Sequence, residues 1–211
     1  MRFIVAGTDT GVGKTVFSAA LARALNANYW KPIQAGLEGE TDSETVQRLS
    51  RLSRERIIPE AYKLRLPASP HISAAREGTS IEAHRLAIPA RSGPLVIEGA
   101  GGLLVPLSPN LLQIDLFSSW GLPLIVCART ALGTINHTLL SLEALAARSL
   151  KVHGVVFIGE PDAEAESAIV SSGKVRRLGG LPFLDPLNAS RLAEAFRANF
   201  RLSDFPGSSS Q

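Results

Sequence analysis

Apolar residues follow two rhythms along the chain. Short runs rich in Val and Ile, "RFIVAG" (2–7), "PLVIEG" (94–99), "PLIVCA" (123–128) and "VHGVVFIG" (152–159), have the length and unbroken hydrophobicity of strands buried on both faces. Between them, apolar positions recur at spacings of three and four, which predicts helices over 14–26, 42–53, 112–120, 134–150 and 188–199. "YWKPI" (29–33) predicts a short strand, and "SPHISAAREG" (69–78) a helix opened by Ser69 with Pro70 at its first position. Strands alternating with helices predict an α/β fold of three layers, a mostly parallel sheet with helices on both faces. Ligands in such folds gather outside the carboxyl ends of the strands. That rule points to the loops at 7–14, 31–42, 99–110 and 129–136. A chain of 211 residues is expected to form one domain over 1–202, and the polar segment "SDFPGSSSQ" (203–211) a loose tail.

The first of these loops, "GTDTGVGKT" (7–15), runs from a strand straight into a helix. Gly7, Gly11 and Gly13 let the backbone turn its N–H groups inward, and the helix that follows offers its positive end to the same anion. In such a loop Lys14 reaches the outer phosphates and the Thr15 hydroxyl faces a divalent cation. The usual first glycine of the phosphate-loop signature is Thr8 here, with Gly7 one residue earlier. The spacing of a dinucleotide-binding loop is absent, and a Lys-Thr pair suits a triphosphate and metal better.

Charge then becomes informative. Glu98 ends a buried strand, where a carboxylate needs a partner, and it can reach the cation beside Thr15. Asp42 opens a helix, so it is either a further acidic ligand or, with its neighbour Thr41, a helix cap. Lys31 lies inside a short apolar strand whose end is expected beside the phosphate loop; it either snorkels to water or supplies a second cation to developing negative charge. The chain has only five lysines among 22 basic residues, and Lys14 and Lys31 both stand at the ends of strand patterns. "EGAGGLLVP" (98–106) adds Gly99, Gly101 and Gly102, where backbone can approach a ligand closely. Together these pieces describe phosphoryl transfer to an oxygen acceptor.

Composition excludes more than it proposes. The net charge is +3, but arginines are scattered among 19 acidic residues rather than gathered into a stripe, which speaks against a nucleic-acid partner. No apolar run approaches a membrane span and no signal-like segment opens the chain, so a cytoplasmic protein is expected. The single Cys127 lies in a strand pattern, where core packing is its expected role. His71, His84, His137 and His153 show no metal-ligand spacing; capping, packing or surface roles are expected for them.

Five motifs in order, "GTDTGVGKT", "WKPIQAG" (30–36), "SPHISA" (69–74), "IEGAGGLLVPL" (97–107) and "LGTINHTLLSLEAL" (132–145), give the chain a resemblance to the dethiobiotin synthetases from residue 2 to about 187. The resemblance implies a P-loop fold and an ATP- and Mg²⁺-dependent ring closure. In that reaction 7,8-diaminononanoate and CO₂ or bicarbonate form a carbamate, ATP phosphorylates it, and the neighbouring amine closes the cyclic urea of dethiobiotin. It implies that Lys31, Lys14 and Thr10 act in catalysis and that Thr15, Asp42 and Glu98 hold the metal. Nucleotide falls to Gly11, Val12, Gly13, Lys14, Thr15 and Val16, to Asp42, and to Glu98, Gly99, Ala100 and Gly101, with Pro182, Phe183 and Leu184 walling the base pocket. Substrate falls to Ala35 and to Gly133, Thr134 and Asn136, the last three reaching across from the partner subunit of a homodimer.

Three positions depart from the family pattern. Ala35 stands where members often carry a hydroxyl, Gly11 where some have Glu, and Ile158 where many place an Asn that reads adenine. Weak discrimination between nucleotide bases is therefore expected. The alternative is a switch ATPase of the partitioning or metal-carrier type. Those proteins resemble one another in an extra lysine five residues before the loop lysine, a position held here by Asp9.

Overall fold

The structure is a computed structural model that describes residues 1–205. In chain order the strands are β1 (Arg2–Gly7), β2 (Asn28–Trp30), β3 (Ile33–Ala35), β4 (Ile57–Ile58), β5 (Tyr62–Leu64), β6 (Leu95–Glu98), β7 (Pro106–Ser108), β8 (Leu111–Leu112), β9 (Leu124–Arg129), β10 (Val152–Ile158) and β11 (Arg177–Leu181). The helices are α1 (Lys14–Ala24), α2 (Asp42–Ser50), α3 (Pro70–Arg76), α4 (Gln113–Trp120), α5 (Thr134–Ala146), α6 (Ala163–Gly173) and α7 (Ala189–Asn199). Seven strands form the central sheet in the order β11-β10-β9-β1-β6-β2-β4, every pair parallel. Two small pairs, β3 with β5 and β7 with β8, flank it.

Side-chain alternation along each strand builds the two helix-covered faces. On β1, Phe3 and Val5 join Phe17 and Leu21 of α1, Val46 and Leu49 of α2, and Leu192 and Phe196 of α7. Ile4 and Ala6 point the other way, to Ile114 and Phe117 of α4, Leu142 and Leu145 of α5, and Ile169 of α6. This is the expected three-layer arrangement, and all four long strand patterns and all six helical patterns are present.

Differences from the sequence expectations have local causes. The strand expected over 29–33 is split: Lys31 and Pro32 leave the main sheet, and Ile33 begins the separate pairing with β5. A proline has no N–H to give the ladder, so the break falls there. The second helix stops at Ser50 because Arg51 adopts a left-handed conformation (φ 58°) and caps it. The helix expected over 134–150 ends at Ala146, with Ser149 at φ 54° in the turn that follows. Helix α6 and strand β11 were not expected at all. Residues 203–205, placed in the expected loose tail, are packed: Phe205 is fully buried against Phe3, and Asp204 accepts a hydrogen bond from His153 Nε2 through its carbonyl (2.7 Å) and one from Arg176 through its carboxylate (2.8 Å). The rest of that segment, 206–211, lies outside the described residues.

Candidate active site

The carboxyl edge of the sheet carries the site. After β1 the chain turns through 8–13 and enters α1 at Lys14. Gly13, at φ 93°, is the residue before the helix, and a Cβ there would come within 2.7 Å of Ile158 Cγ2, so both backbone and space require glycine. No side chain caps α1, which leaves its first N–H groups turned outward for an anion. Lys14 curls back over the loop and donates to the Asp9 carbonyl at 2.8 Å. Burial, and next the nearby Lys31 ammonium, lower its pKa from the ordinary lysine value.

Beside the loop sits a buried cluster whose geometry follows from strand parity. Strand β2 pairs in parallel with β6, Tyr29 opposite Val96 and Trp30 opposite Ile97. Tyr29, two positions before Lys31, therefore shares a face with Val96 and Glu98, while Trp30 packs into the opposite layer with Ile97. Glu98 is wholly buried and Lys31 nearly so. The Lys31 ammonium lies 3.0 Å from Glu98 Oε1 and 2.8 Å from Asp42 Oδ2, and donates to the Gly99 carbonyl at 3.0 Å. The Thr15 hydroxyl lies between the two carboxylates, 2.9 Å from Asp42 Oδ1 and 2.8 Å from Glu98 Oε1. On the far side of Glu98, the Tyr29 hydroxyl donates to Oε2 at 2.9 Å.

The electrostatics are those of a neutralised buried cluster. Burial works against the Lys31 ammonium, but Glu98 and Asp42 outweigh it and hold its pKa above the ordinary value. Burial likewise opposes the Asp42 carboxylate, yet Lys31 and the Thr15 hydroxyl hold it below the ordinary value. Burial, with Glu98 beside it, raises the Tyr29 phenol well above its usual range, so it is a permanent donor near neutrality. Asp42 does not cap its helix. Thr41 does, in a capping box with Glu44, which frees the Asp42 carboxylate for the cluster. Its backbone N–H donates to Gln34 Oε1 at 3.2 Å, fixing the start of α2 against β3.

A cleft of about 610 Å³ opens over this cluster. Thr10, Lys14, Thr15, Lys31, Asp42 and Glu98 form its polar floor, and Ile33, Ala35, Pro67, Pro70 and Val105 are among its apolar walls. Ala100 and Gly101 complete one rim, held by Gln113, which accepts from the Ala100 N–H at 2.6 Å and donates to the Gly102 carbonyl at 2.8 Å. A second hollow of about 250 Å³ lies on the other side of the phosphate loop, between Gly11, Val12, Gly13 and Val16 and the segment Leu181, Pro182, Phe183 and Leu184. Ile158 and Leu187 extend its apolar wall, and Arg129 is the charged residue there.

The structure thus brings together Thr10, the loop 11–16, Lys31, Ala35, Asp42 and 98–101, with Pro182, Phe183 and Leu184 at the adjoining hollow. It does not bring Gly133, Thr134 and Asn136 to the cleft of the same chain; they lie at the start of α5, Gly133 and Asn136 exposed and Thr134 buried, beside a fully exposed Leu132. Tyr29, Gln34 and Gln113 were not foreseen. Tyr29 reaches the face of Glu98 through the register of β2 on β6, which the sequence does not show. Cys127 is buried and its thiol pKa is pushed far up, so it packs and does not react. His71 lies 3.0 Å from Ser69 Oγ and 3.2 Å from the Pro106 carbonyl, while His84 and His137 are exposed.

A phosphate loop whose neighbouring acids and lysines face a substrate-sized cleft places the chain among the P-loop proteins that use a nucleoside triphosphate. Residues 1–191 match the family described as "AAA domain". Among solved structures the fold is similar to a ParA family ATPase from Chlorobium tepidum (TM-score 0.54, 10% identity, 93% of this chain and 90% of that one). It is also similar to the MinC:MinD complex of Aquifex aeolicus (TM-score 0.51, 12% identity, 92% and 85%). At such identities the likeness concerns the fold alone. Sequence is far more specific: the chain is 61% identical over 205 residues to the "ATP-dependent dethiobiotin synthetase BioD" of Agrobacterium fabrum, covering 97% of each. It is 58% identical to the protein of that name from Nitrobacter hamburgensis (97% and 96%) and 59% to that from Brucella ovis (98% and 97%). The chain belongs to the ATP-dependent dethiobiotin synthetases, ligases of biotin synthesis.

Proposed function

We propose that the chain closes the urea ring of dethiobiotin from 7,8-diaminononanoate, CO₂ and ATP, with the transferred phosphoryl group seated between Lys14 and Lys31. The supporting observation is the convergence of these two buried lysines and two carboxylates on the floor of a cleft that opens beside the phosphate loop. One amine takes up CO₂ and loses a proton to give a carbamate. A carbamate oxygen attacks the γ-phosphorus, the bond to the β-phosphate oxygen breaks, and ADP leaves. The second amine then attacks the carbonyl carbon, the carbon–oxygen bond to phosphate breaks, and the ring closes as phosphate departs with the remaining proton lost to solvent.

The chain's own residues supply position and charge. Backbone N–H groups of 11–15 cradle the β- and γ-phosphates at the positive end of α1. Lys14 leaves the Asp9 carbonyl for the phosphate, and Lys31 faces the oxygen being phosphorylated, where negative charge is densest. Thr10, at the cleft floor, is placed to donate to the same group. Thr15, Asp42 and Glu98 offer only hard oxygen donors, and among the described residues no group of three or more His, Cys, Asp or Glu forms an all-protein cage. That set fits Mg²⁺, which keeps waters and substrate phosphate oxygens among its ligands. When bound, the ion would neutralise charge on the phosphates and hold them in line. The walls of the cleft, Ile33, Ala35 and Val105 among them, suit the aliphatic stretch of the diamine.

A second copy of the chain completes the substrate site in this proposal. Leu132, Ile135 and Leu140 expose apolar surface around the start of α5, where Gly133 stands at φ 92° and no side chain caps the helix. The Thr134 N–H is taken by the Ala131 carbonyl at 2.9 Å, and the N–H groups of Ile135 and Asn136 beyond it suit the far carboxylate of the substrate bound in the other subunit. The base of the nucleotide occupies the hollow walled by Ile158, Leu181, Pro182 and Phe183, whose side chains offer shape and no hydrogen bond, with Arg129 there paired to Asp9, so bases are weakly told apart. Mass spectrometry after incubation with ¹³C-bicarbonate, the diamine, ATP and Mg²⁺ tests the reaction. Labelled cyclic urea, lost in Lys14→Ala and Lys31→Ala, is expected; phosphate release without it would point to a switch ATPase. Equal turnover with ATP, CTP and GTP is expected, and strict use of ATP would refute the base reading.

A further inference from the structure

We infer that Tyr29 is a positioning residue for the cation site: by holding one oxygen of Glu98, it presents the other to Thr15, Lys31 and the metal. The inference rests on the metal site proposed above and adds to it a residue outside the phosphate loop and outside the cleft. Three observations carry it. The Tyr29 ring is completely buried, yet its hydroxyl does not lack a partner; it reaches across from β2 to Glu98 Oε2 at 2.9 Å. Glu98 Oε1 receives every other contact of that carboxylate, from Thr15 at 2.8 Å and Lys31 at 3.0 Å. The two oxygens are thus divided, one toward the core and one toward the cleft.

The division matters because a fully buried carboxylate has no water to fix its torsion. Without the phenol, Oε2 would be left unsatisfied in the core, and rotation toward Lys31 would be the nearest relief. The carboxylate would then turn both oxygens toward the lysine and offer neither in a fixed direction to a cation. Partners of this kind, one bond removed from the metal, set ligand direction, and their loss commonly weakens metal affinity about 10–100-fold.

The test uses Mn²⁺ as the probe, titrated by electron paramagnetic resonance into the full chain with a non-hydrolysable ATP analogue. Tyr29→Phe keeps the ring and is expected to raise the Mn²⁺ dissociation constant about 10-fold. Tyr62→Phe is the control: its hydroxyl accepts only the Glu82 N–H at 2.9 Å and is expected to leave the constant unchanged. In a double-mutant cycle, Tyr29→Phe is expected to add nothing once Glu98→Gln is present. The chain has two tyrosines, so in Tyr62→Phe protein grown with ¹³Cζ-tyrosine the one NMR signal belongs to Tyr29. That signal is expected to move when Mg²⁺ joins the analogue, a readout that needs no change at Tyr29. Unaltered Mn²⁺ affinity in Tyr29→Phe, or a tyrosine signal indifferent to Mg²⁺, would reduce Tyr29 to core packing. If the unmodified chain with analogue fails to bind Mn²⁺, the metal site itself falls, and the inference with it.

Discussion

Lys31→Met is the most informative single perturbation of the cluster. Methionine keeps the length and apolar bulk of the stem and removes only the ammonium, which lies 3.0 Å from Glu98 and 2.8 Å from Asp42. Removing one partner of a buried ion pair costs about 3–5 kcal/mol. The Asp42 side chain retains 31% of its exposure, so water recovers part of the loss and the lower figure, about 3 kcal/mol, is the better expectation. In a chain of this size each kcal/mol moves the melting point by about 2–4 °C, which gives a fall of about 6–12 °C. In the proposed reaction Lys31 faces the reacting oxygen, and loss of that preorganised charge is expected to lower kcat about 10²–10³-fold. The two effects separate with Mg²⁺. In the variant, Asp42 and Glu98 face each other without a cation, so Mg²⁺ should raise the melting point more than it does in the unmodified chain, yet leave kcat low. Differential scanning fluorimetry with and without Mg²⁺, beside the labelled-product assay, reads both. A melting point that does not move, together with less than about a tenfold loss of kcat, would refute the reasoning.

Other consequences are equally direct. Gly13→Ala forces a Cβ to 2.7 Å from Ile158 Cγ2 at φ 93°, and a melting-point loss corresponding to about 1–3 kcal/mol is expected, with nucleotide binding abolished by fluorescence titration. The cluster also fixes how stability follows pH. Asp42 is held below its ordinary value, so its contribution is present above the usual carboxylate range and lost as pH falls through the folded value; Lys31 is held above its own, so its contribution is complete below the usual lysine value and lost as pH rises through the folded one. A plateau in melting point near neutrality is expected, and Asp42→Asn should flatten its acid flank. Leu132→Asp places a charge on the exposed start of α5; sedimentation should show a smaller species with reduced turnover and a nearly unchanged melting point.

What could be read in the sequence was what buried strands betray. A lysine inside one apolar run and a glutamate ending another stand out because neither belongs in a core without a partner, and Lys31 and Glu98 indeed partner each other. The loop before α1 was legible because glycine spacing and a Lys-Thr pair act locally. Tyr29 was hidden, since a tyrosine in a strand reads as apolar bulk until the register of β2 on β6 shows where its hydroxyl points. Gln113 was hidden in the same way: its partners, Ala100 and Gly102, are brought to it only by the fold. Strand β11 escaped because "RLGGL" has two glycines in place of the branched residues that mark strands. Helix α6, "AEAESAIVSSG", offers few large apolar side chains to set a period.

The central claim is that phosphate passes to a carbamate oxygen held between two lysines, and an isotope follows that oxygen. With ¹⁸O-labelled bicarbonate in a single turnover, faster than exchange with water, one labelled oxygen should leave the carbonyl carbon with the phosphate. Inorganic phosphate carrying one ¹⁸O for each ring closed is the predicted result. Ring closure accompanied by unlabelled phosphate would contradict it.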